Sequence, residues 1–371
     1  LDEHDFIIEK VAKPWYQHTF WLVFFLSFIV STVFVVLVNW IVDPFDLYGN
    51  DYLPPWQQNR YTEKYDLYRA FDPPPEALII GSSRVGSIDP EAIEQYTGYR
   101  TFHWGVPSAG VEAFNAILSL ALERDDVDLN LIVIGVDPVS FEAGNPIQKQ
   151  MLHEPHYTKY FDITLKQELD GVIRLITKEQ TVNSFKVIFR SMGGEVMNTA
   201  QDHRADGMPL YSSREELIAE GKFDLQSNLD LRLAMYPDQF SCITGSSVIS
   251  EHNKRLWEEF LSKCTEHGIK VAAFTPTMHP RLYDRMEYLG AFPKYEEISS
   301  YLKETVEGSG GIYMDFTDLS SFGGDPDEFY DEVHMRRTNG NQMLSRLFAD
   351  YDDVASLADS VVENRGGVSN Q

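Results

Sequence analysis

A serine, a histidine and an acid occupy positions from which they could cooperate in acyl transfer. Ser83 follows Ser82 directly after the apolar run Ala77-Leu-Ile-Ile-Gly81, and Asp331 precedes His334 by three residues before the last helical stretch. A serine hydroxyl is a weak nucleophile until a base takes its proton. An imidazole does this, and a carboxylate on its far nitrogen holds the required tautomer. A Gly-Ser turn is more often a helix cap, and Asp-x-x-His is more often a local hydrogen bond, so neither fragment carries the chemistry alone. Other polar groups fall at comparable places: Arg84 beside the serines, Gly105 and Ser108 after a second apolar run, Asp137 after a third and His279 after a fourth. His279 reads first as a capped loop histidine. His153 and His156 could share a metal on a helix, but no third ligand stands near them, so no metal is expected. The chain has no Gly-x-Gly-x-x-Gly or other phosphate-cradling loop, so no nucleotide cofactor is expected either.

These groups need a scaffold that gathers loop ends. Short apolar runs at 77–81, 100–104, 129–136, 269–274 and 312–316 read as buried strands. Helical spacing appears between them, at 89–96, 111–123, 250–267, 295–307 and 338–348. Alternation of this kind predicts an α/β fold, a doubly wound parallel five-stranded sheet of flavodoxin-like order 2-1-3-4-5, extending over 76–350. Ligands of such sheets bind beyond the carboxyl ends of the strands, where Ser83, Arg84, Gly105, Ser108, Asp137, His279, Asp331 and His334 fall. The alternation is broken by a long insertion, 141–250, which reads as irregular or helical lid material.

Ahead of this domain lies a segment of another kind. No Asp, Glu, Lys or Arg occurs between Lys13 and Asp43, and Phe20–Val42 is apolar almost throughout. That length matches the roughly 20 residues needed to cross a hydrocarbon core, and tryptophans stand at both ends. One transmembrane helix, 20–42, is expected. Lys10 and Lys13 precede it and no basic residue follows until Arg60. Positive-inside bias then predicts a cytoplasmic segment 1–19 and a main domain outside the cytoplasm. Residues 43–75, rich in Pro, Tyr and Asp, read as a stalk, and 351–371 as a frayed tail.

Composition closes off other classes. With 43% hydrophobic and 24% charged residues the chain builds a core. Acidic residues outnumber basic ones 57 to 31, a formal charge of −26. Such a surface repels phosphate backbones, so nucleic acid is not an expected partner. The two cysteines, Cys242 and Cys264, are too few for a disulfide framework; one bridge or two unpaired buried thiols remain open, the second being expected.

The block order resembles the SGNH (GDSL-like) hydrolases over about 77–350, the insertion unmatched. The resemblance implies Ser83 as nucleophile, His334 as base and Asp331 as its orienting acid. Joined to a single span, it is similar to the D-alanine transfer protein of teichoic acid synthesis and to alginate O-acetylation proteins. It thus implies an esterase or O-acyltransferase acting on a cell-envelope or exported polysaccharide, with a polytopic membrane acyltransferase as partner. Two blocks depart from the pattern. Ser108 stands where a glycine N–H helps hold the oxyanion, in the stretch His103-Trp-Gly-Val-Pro-Ser108, and Asp137 stands where an Asn donates to it. An ionised Asp only accepts hydrogen bonds. Either Asp137 pairs with Arg84 and ties two strand ends together, or its charge disfavours the oxyanion and Asp137→Asn raises hydrolysis. A non-catalytic glycan-binding or scaffolding module is therefore the competing expectation.

Overall fold

The structure, a computed structural model, describes residues 15–50, 52–56, 59–144, 151, 154–160, 165–193, 203–240 and 242–349. They fall into two compact units, one drawn from within 1–58 and 164–199 and the other from within 59–163 and 200–371.

The larger unit is an α/β domain. Its strands are β1 (Ala77–Gly81), β2 (Thr101–Gly105), β3 (Leu131–Gly135), β4 (Lys270–Thr275) and β5 (Ile312–Asp315). All neighbours pair parallel, in the order β2-β1-β3-β4-β5. Every residue of β1 and β3 is buried, as expected of central strands covered on both faces. Period-2 alternation divides their side chains. Leu78, Ile80, Ile132, Ile134, Val271 and Ala273 enter the larger core, together with the helices Val111–Leu122, Glu251–Glu266 and Phe292–Gly308. Ala77, Ile79, Leu131, Val133, Ala272 and Phe274 face the smaller core, with the helices Pro90–Thr97 and Arg337–Leu347.

Residues 60–70 depart from the expected stalk. Asn59 caps a helix, Arg60–Ala70, through its side chain and the Tyr61 N–H. Its buried face is Tyr61, Lys64 and Tyr68. Tyr68 packs 4.2 Å, centroid to centroid, from Trp104, and its hydroxyl donates to the Ala121 carbonyl at 3.0 Å. A face made of tyrosines and a lysine carries little hydropathy, which is why it reads as polar linker.

Lys64 is buried, and its ammonium donates to the carbonyls of His103, at 3.0 Å, and Gly207. Burial pushes this lysine down to about 7. Between β3 and β4 the described residues contain helices and no strand, among them Ser212–Ala219 and Leu225–Ala234, which fold onto the loop carrying His334.

The smaller unit contains α1 (Trp15–Val42), α2 (Leu165–Arg174) and α3 (Lys178–Gly193). From Thr19 to Val42, α1 is long and apolar enough to cross a membrane, with mean hydropathy 2.7. Lys10, Lys13 and the 351–371 tail lie outside the described residues.

Three glycines close adjacent strands in register, Gly105 opposite Gly81 and Gly81 opposite Gly135. A β-carbon built on each would meet Val85: 2.6 Å at Gly105, 2.5 Å at Gly81 and 2.3 Å at Gly135. The row of missing side chains is the seat of Val85, which is fully buried. Gly135→Ala should therefore cost about 1–3 kcal/mol by overpacking. Combined with Val85→Ala it should cost less than the sum of the two single changes, measured by urea unfolding in detergent. Additive costs would show that the two side chains do not share this space.

Candidate active site

Ser83 is placed by the end of β1. Ser82 caps a single 3-10 turn, Ser83–Val85, its hydroxyl accepting the Arg84 N–H at 3.2 Å. Val85 drops into the glycine row, and its carbonyl lies 3.0 Å from His103 Nε2. Gly105 N–H donates to His103 Nδ1 at 3.2 Å, so Nε2 is the protonated nitrogen and donates to Val85. Burial first, and the Lys64 charge second, hold the His103 pKa well below the ordinary histidine value, which keeps this tautomer neutral. His103 positions the serine turn from below.

The partner comes from the loop before the last helix. The Tyr330 N–H donates to the His334 carbonyl at 2.8 Å, closing a tight turn. Inside it, Asp331 Oδ1 accepts the N–H groups of Val333, at 3.1 Å, and His334, at 2.9 Å. The same carboxylate lies 2.7 and 2.9 Å from His334 Nδ1, and His334 Nε2 lies 2.7 Å from Ser83 Oγ. Asp331 is only 2% exposed. Its burial opposes ionisation, yet the hydrogen bond and charge of His334, the Val333 N–H and the more distant Arg232 together hold the carboxyl below the usual carboxylate range. An ionised Asp331 only accepts, so Nδ1 carries the proton and Nε2 faces the Ser83 hydroxyl as a base. The structure thus brings Ser83, His334 and Asp331 together in the order that a nucleophile, a base and an orienting acid would need.

Asp137 does something else. It stands at the end of β3 and accepts from both the Ser82 hydroxyl and Arg84 Nη1. Arg84 Nη2 continues to the carbonyls of Pro276, at 2.8 Å, and Thr277, at 2.7 Å, so one guanidinium ties the ends of β1, β3 and β4. The Asp137 charge lies against a cation and is not left facing the serine alone. Ser108 also lines the cavity beside Ser83, with φ +53°, a left-handed conformation that glycine adopts without strain. A serine there keeps the backbone N–H. No side-chain amide stands at the Asp137 position, so main-chain N–H groups at Ser83 and Ser108 are the candidate oxyanion donors.

The cavity at the triad measures about 360 Å³. Ser82, Ser83, Arg84, Asp137 and His334 line its polar side; Val139, Phe240, Met278, Leu282 and Met286 line its apolar side. Sequence reasoning missed a third group of wall residues. Glu332 is fully buried, gripped by Arg232, with Nη2 to Oε1 at 2.6 Å, and by the Tyr236 hydroxyl at 3.2 Å. Arg214 approaches the other carboxylate, 3.5 Å from Asp331 Oδ2. These contacts join residues about a hundred or more positions apart, and no local pattern announces them.

The remaining candidates fall elsewhere. His279 caps the helix Pro280–Tyr288, its Nδ1 accepting the Arg281 N–H at 3.1 Å, and its ring stacks edge-on against Phe329. Its backbone N–H donates to the Glu332 carbonyl at 3.0 Å, so it braces the loop between Asp331 and His334. Gly105 belongs to the seat of Val85. His156 stacks on Tyr65 at 4.0 Å, His153 lies outside the described residues, and no metal-holding cluster occurs among the described residues. Both cysteines are free.

Two outcomes follow from this geometry. Because Asp331 ionises more readily folded than unfolded, its stabilisation is full above about pH 4, the unfolded value, and is lost as the pH falls below it. Asp331→Asn should flatten the acid limb of the stability curve, read by thermal melts between about pH 5 and 2. Asp137→Asn strips a nearly buried arginine of its partner; about 3 kcal/mol of stability should be lost and ester hydrolysis should not rise. Faster hydrolysis by that variant would show that the Asp137 charge, even paired, opposes the oxyanion. Searched against protein-family models and curated proteins, the chain matches none, so what this site does is argued from its geometry.

Proposed function

We propose that the chain is a membrane-anchored serine esterase or O-acyltransferase of SGNH-like build, acting on an acylated cell-envelope or exported polysaccharide. The observation that carries the reading is the relay from Asp331 through His334 to Ser83, opening on a cavity with an apolar side. In the reaction Ser83 Oγ attacks an acyl carbonyl while His334 Nε2 takes the hydroxyl proton. Asp331 stabilises the imidazolium. The tetrahedral oxyanion is met by backbone N–H groups. Collapse expels the alcohol, which receives the proton from His334 and leaves an acyl-serine. Water or a sugar hydroxyl then attacks this ester, again deprotonated by His334, and Ser83 is restored. Acyl transfer needs a donor, and the resemblance to the D-alanine transfer protein and the alginate O-acetylation proteins points to a polytopic membrane acyltransferase.

In this reading α1 spans the membrane with its N-terminus in the cytoplasm and the α/β domain outside, periplasmic or extracellular, because Lys10 and Lys13 precede the span and no basic residue follows it before Arg60. A second reading, a glycan-binding module without turnover, is favoured by the single fact that Asp137, which can only accept hydrogen bonds when ionised, stands where an asparagine amide would donate to the oxyanion.

A serine-directed fluorophosphonate distinguishes the two. The unaltered protein should be labelled and should hydrolyse a small activated ester, while Ser83→Ala abolishes both and His334→Ala lowers hydrolysis by about 10³-fold or more. An unlabelled wild type with an intact fold would leave the binding module. Protease added to spheroplasts should digest the α/β domain, and protection until lysis would reverse the topology.

A further inference from the structure

The smaller unit carries an apolar surface that acyl transfer does not use. On α2, Leu169, Val172 and Ile173 are exposed, as is Ile176 in the turn that follows; on α3, Val182, Phe185, Phe189 and Met192 follow helical spacing and are exposed too. Phe189 is 68% and Met192 79% exposed. An aqueous surface rarely presents two such stripes.

Three observations say what covers them. The hairpin is fastened to the C-terminal end of α1: Asn39, fully buried, donates to the Leu175 carbonyl at 2.7 Å and to the Thr181 hydroxyl at 2.9 Å. Just beyond α1, the Tyr48 hydroxyl donates to the Gly171 carbonyl at 2.9 Å. The two helices are therefore held at the end of α1, whose own apolar side chains from Phe20 to Ile41 are largely exposed. The charge of the hairpin also opposes that of the chain. Residues 165–193 hold five Lys or Arg and three Asp or Glu, in a protein of formal charge −26. Finally, Lys186 and Arg190 lie over the Trp56 ring, 4.9 and 4.2 Å from its centroid. Tryptophan with basic side chains is the composition of a headgroup layer.

We propose that α2 and α3 form an interfacial hairpin embedded in the same bilayer that α1 crosses, with their apolar stripes among the acyl chains and Lys186, Arg190 and Trp56 at anionic headgroups. The proposal rests on α1 spanning that bilayer. It does not depend on the serine chemistry. Amphipathic helices of this kind bind through buried apolar area plus attraction to anionic lipid, and the tether to α1 makes that binding intramolecular.

The test uses the full chain with Cys242→Ser, Cys264 being buried, reconstituted in vesicles of phosphatidylcholine and phosphatidylglycerol. Single cysteines at Val30, Phe189 and Glu179 carry an environment-sensitive fluorophore. Brominated lipid should quench the labels at 30 and 189, and aqueous iodide should quench the label at 189 at least about threefold less than that at 179. Quenching by bromolipid at 30 with free access of iodide at 189 would overturn the hairpin while leaving the span. Absence of bromolipid quenching at 30 would overturn the span and the hairpin with it. Shielding of 189 from both quenchers would place protein against the stripe and overturn the lipid assignment. Removing phosphatidylglycerol should raise iodide access at 189; no change would overturn the role given to Lys186 and Arg190.

Discussion

The geometry of the candidate site depends on one close approach, that of Val85 to three strand ends. Gly105, Gly81 and Gly135 lie side by side at the carboxyl edge of the sheet, and the Val85 side chain fills the space their missing β-carbons leave. A methyl at any of the three would lift Val85, and with it the turn that starts at Ser83. A serine nucleophile on that turn would tolerate little of this, since a misplacement of about 1 Å can cost on the order of a hundredfold in rate. His103 secures the same turn by holding the Val85 carbonyl, and it can do so because burial keeps its imidazole neutral with the proton on Nε2. The buried ammonium of Lys64 in turn holds the His103 carbonyl and presses on its ring electrostatically.

The facing loop solves a different problem. Asp331 and Glu332 are adjacent carboxylates, both buried, and like charges so near would otherwise repel. The chain sends them to separate partners. Asp331 is met by His334, two backbone N–H groups and Arg214; Glu332 is met by Arg232 and Tyr236. Glu332 thereby anchors the helix Leu225–Ala234 over the site, while Asp331 remains free to orient the imidazole. Asp137 shows the same economy of charge. By joining Arg84 to Ser82 it binds three strand ends together, with the same guanidinium reaching the carbonyls of Pro276 and Thr277.

Much of this was readable along the chain. Five-residue apolar runs closed by glycine imply central parallel strands, because only a strand covered on both faces can be apolar at every position. Once those runs alternate with helical spacing, the groups following each strand must meet at one edge, and Ser83, Asp331 and His334 were identifiable for that reason. The run from Phe20 to Val42 needed no tertiary information, since its composition alone marks a helix long and apolar enough to cross a membrane. The helix at 60–70 was not readable, as tyrosines and a buried lysine make its inner face.

What the sequence by itself determined is therefore periodicity: which residues are buried, on which face, and at which end of a strand the chain turns polar. What only the tertiary structure decided is pairing. Arg232 with Glu332, Arg84 with Asp137, Lys64 with His103 and Val85 with the glycine row all depend on segments brought together by the crossover connections of the sheet. Local spacing records the solvent each residue faces. It does not record which distant charge or cavity the fold will set opposite it, and those opposite groups decide whether a serine beside a histidine stands at hydrogen-bond distance.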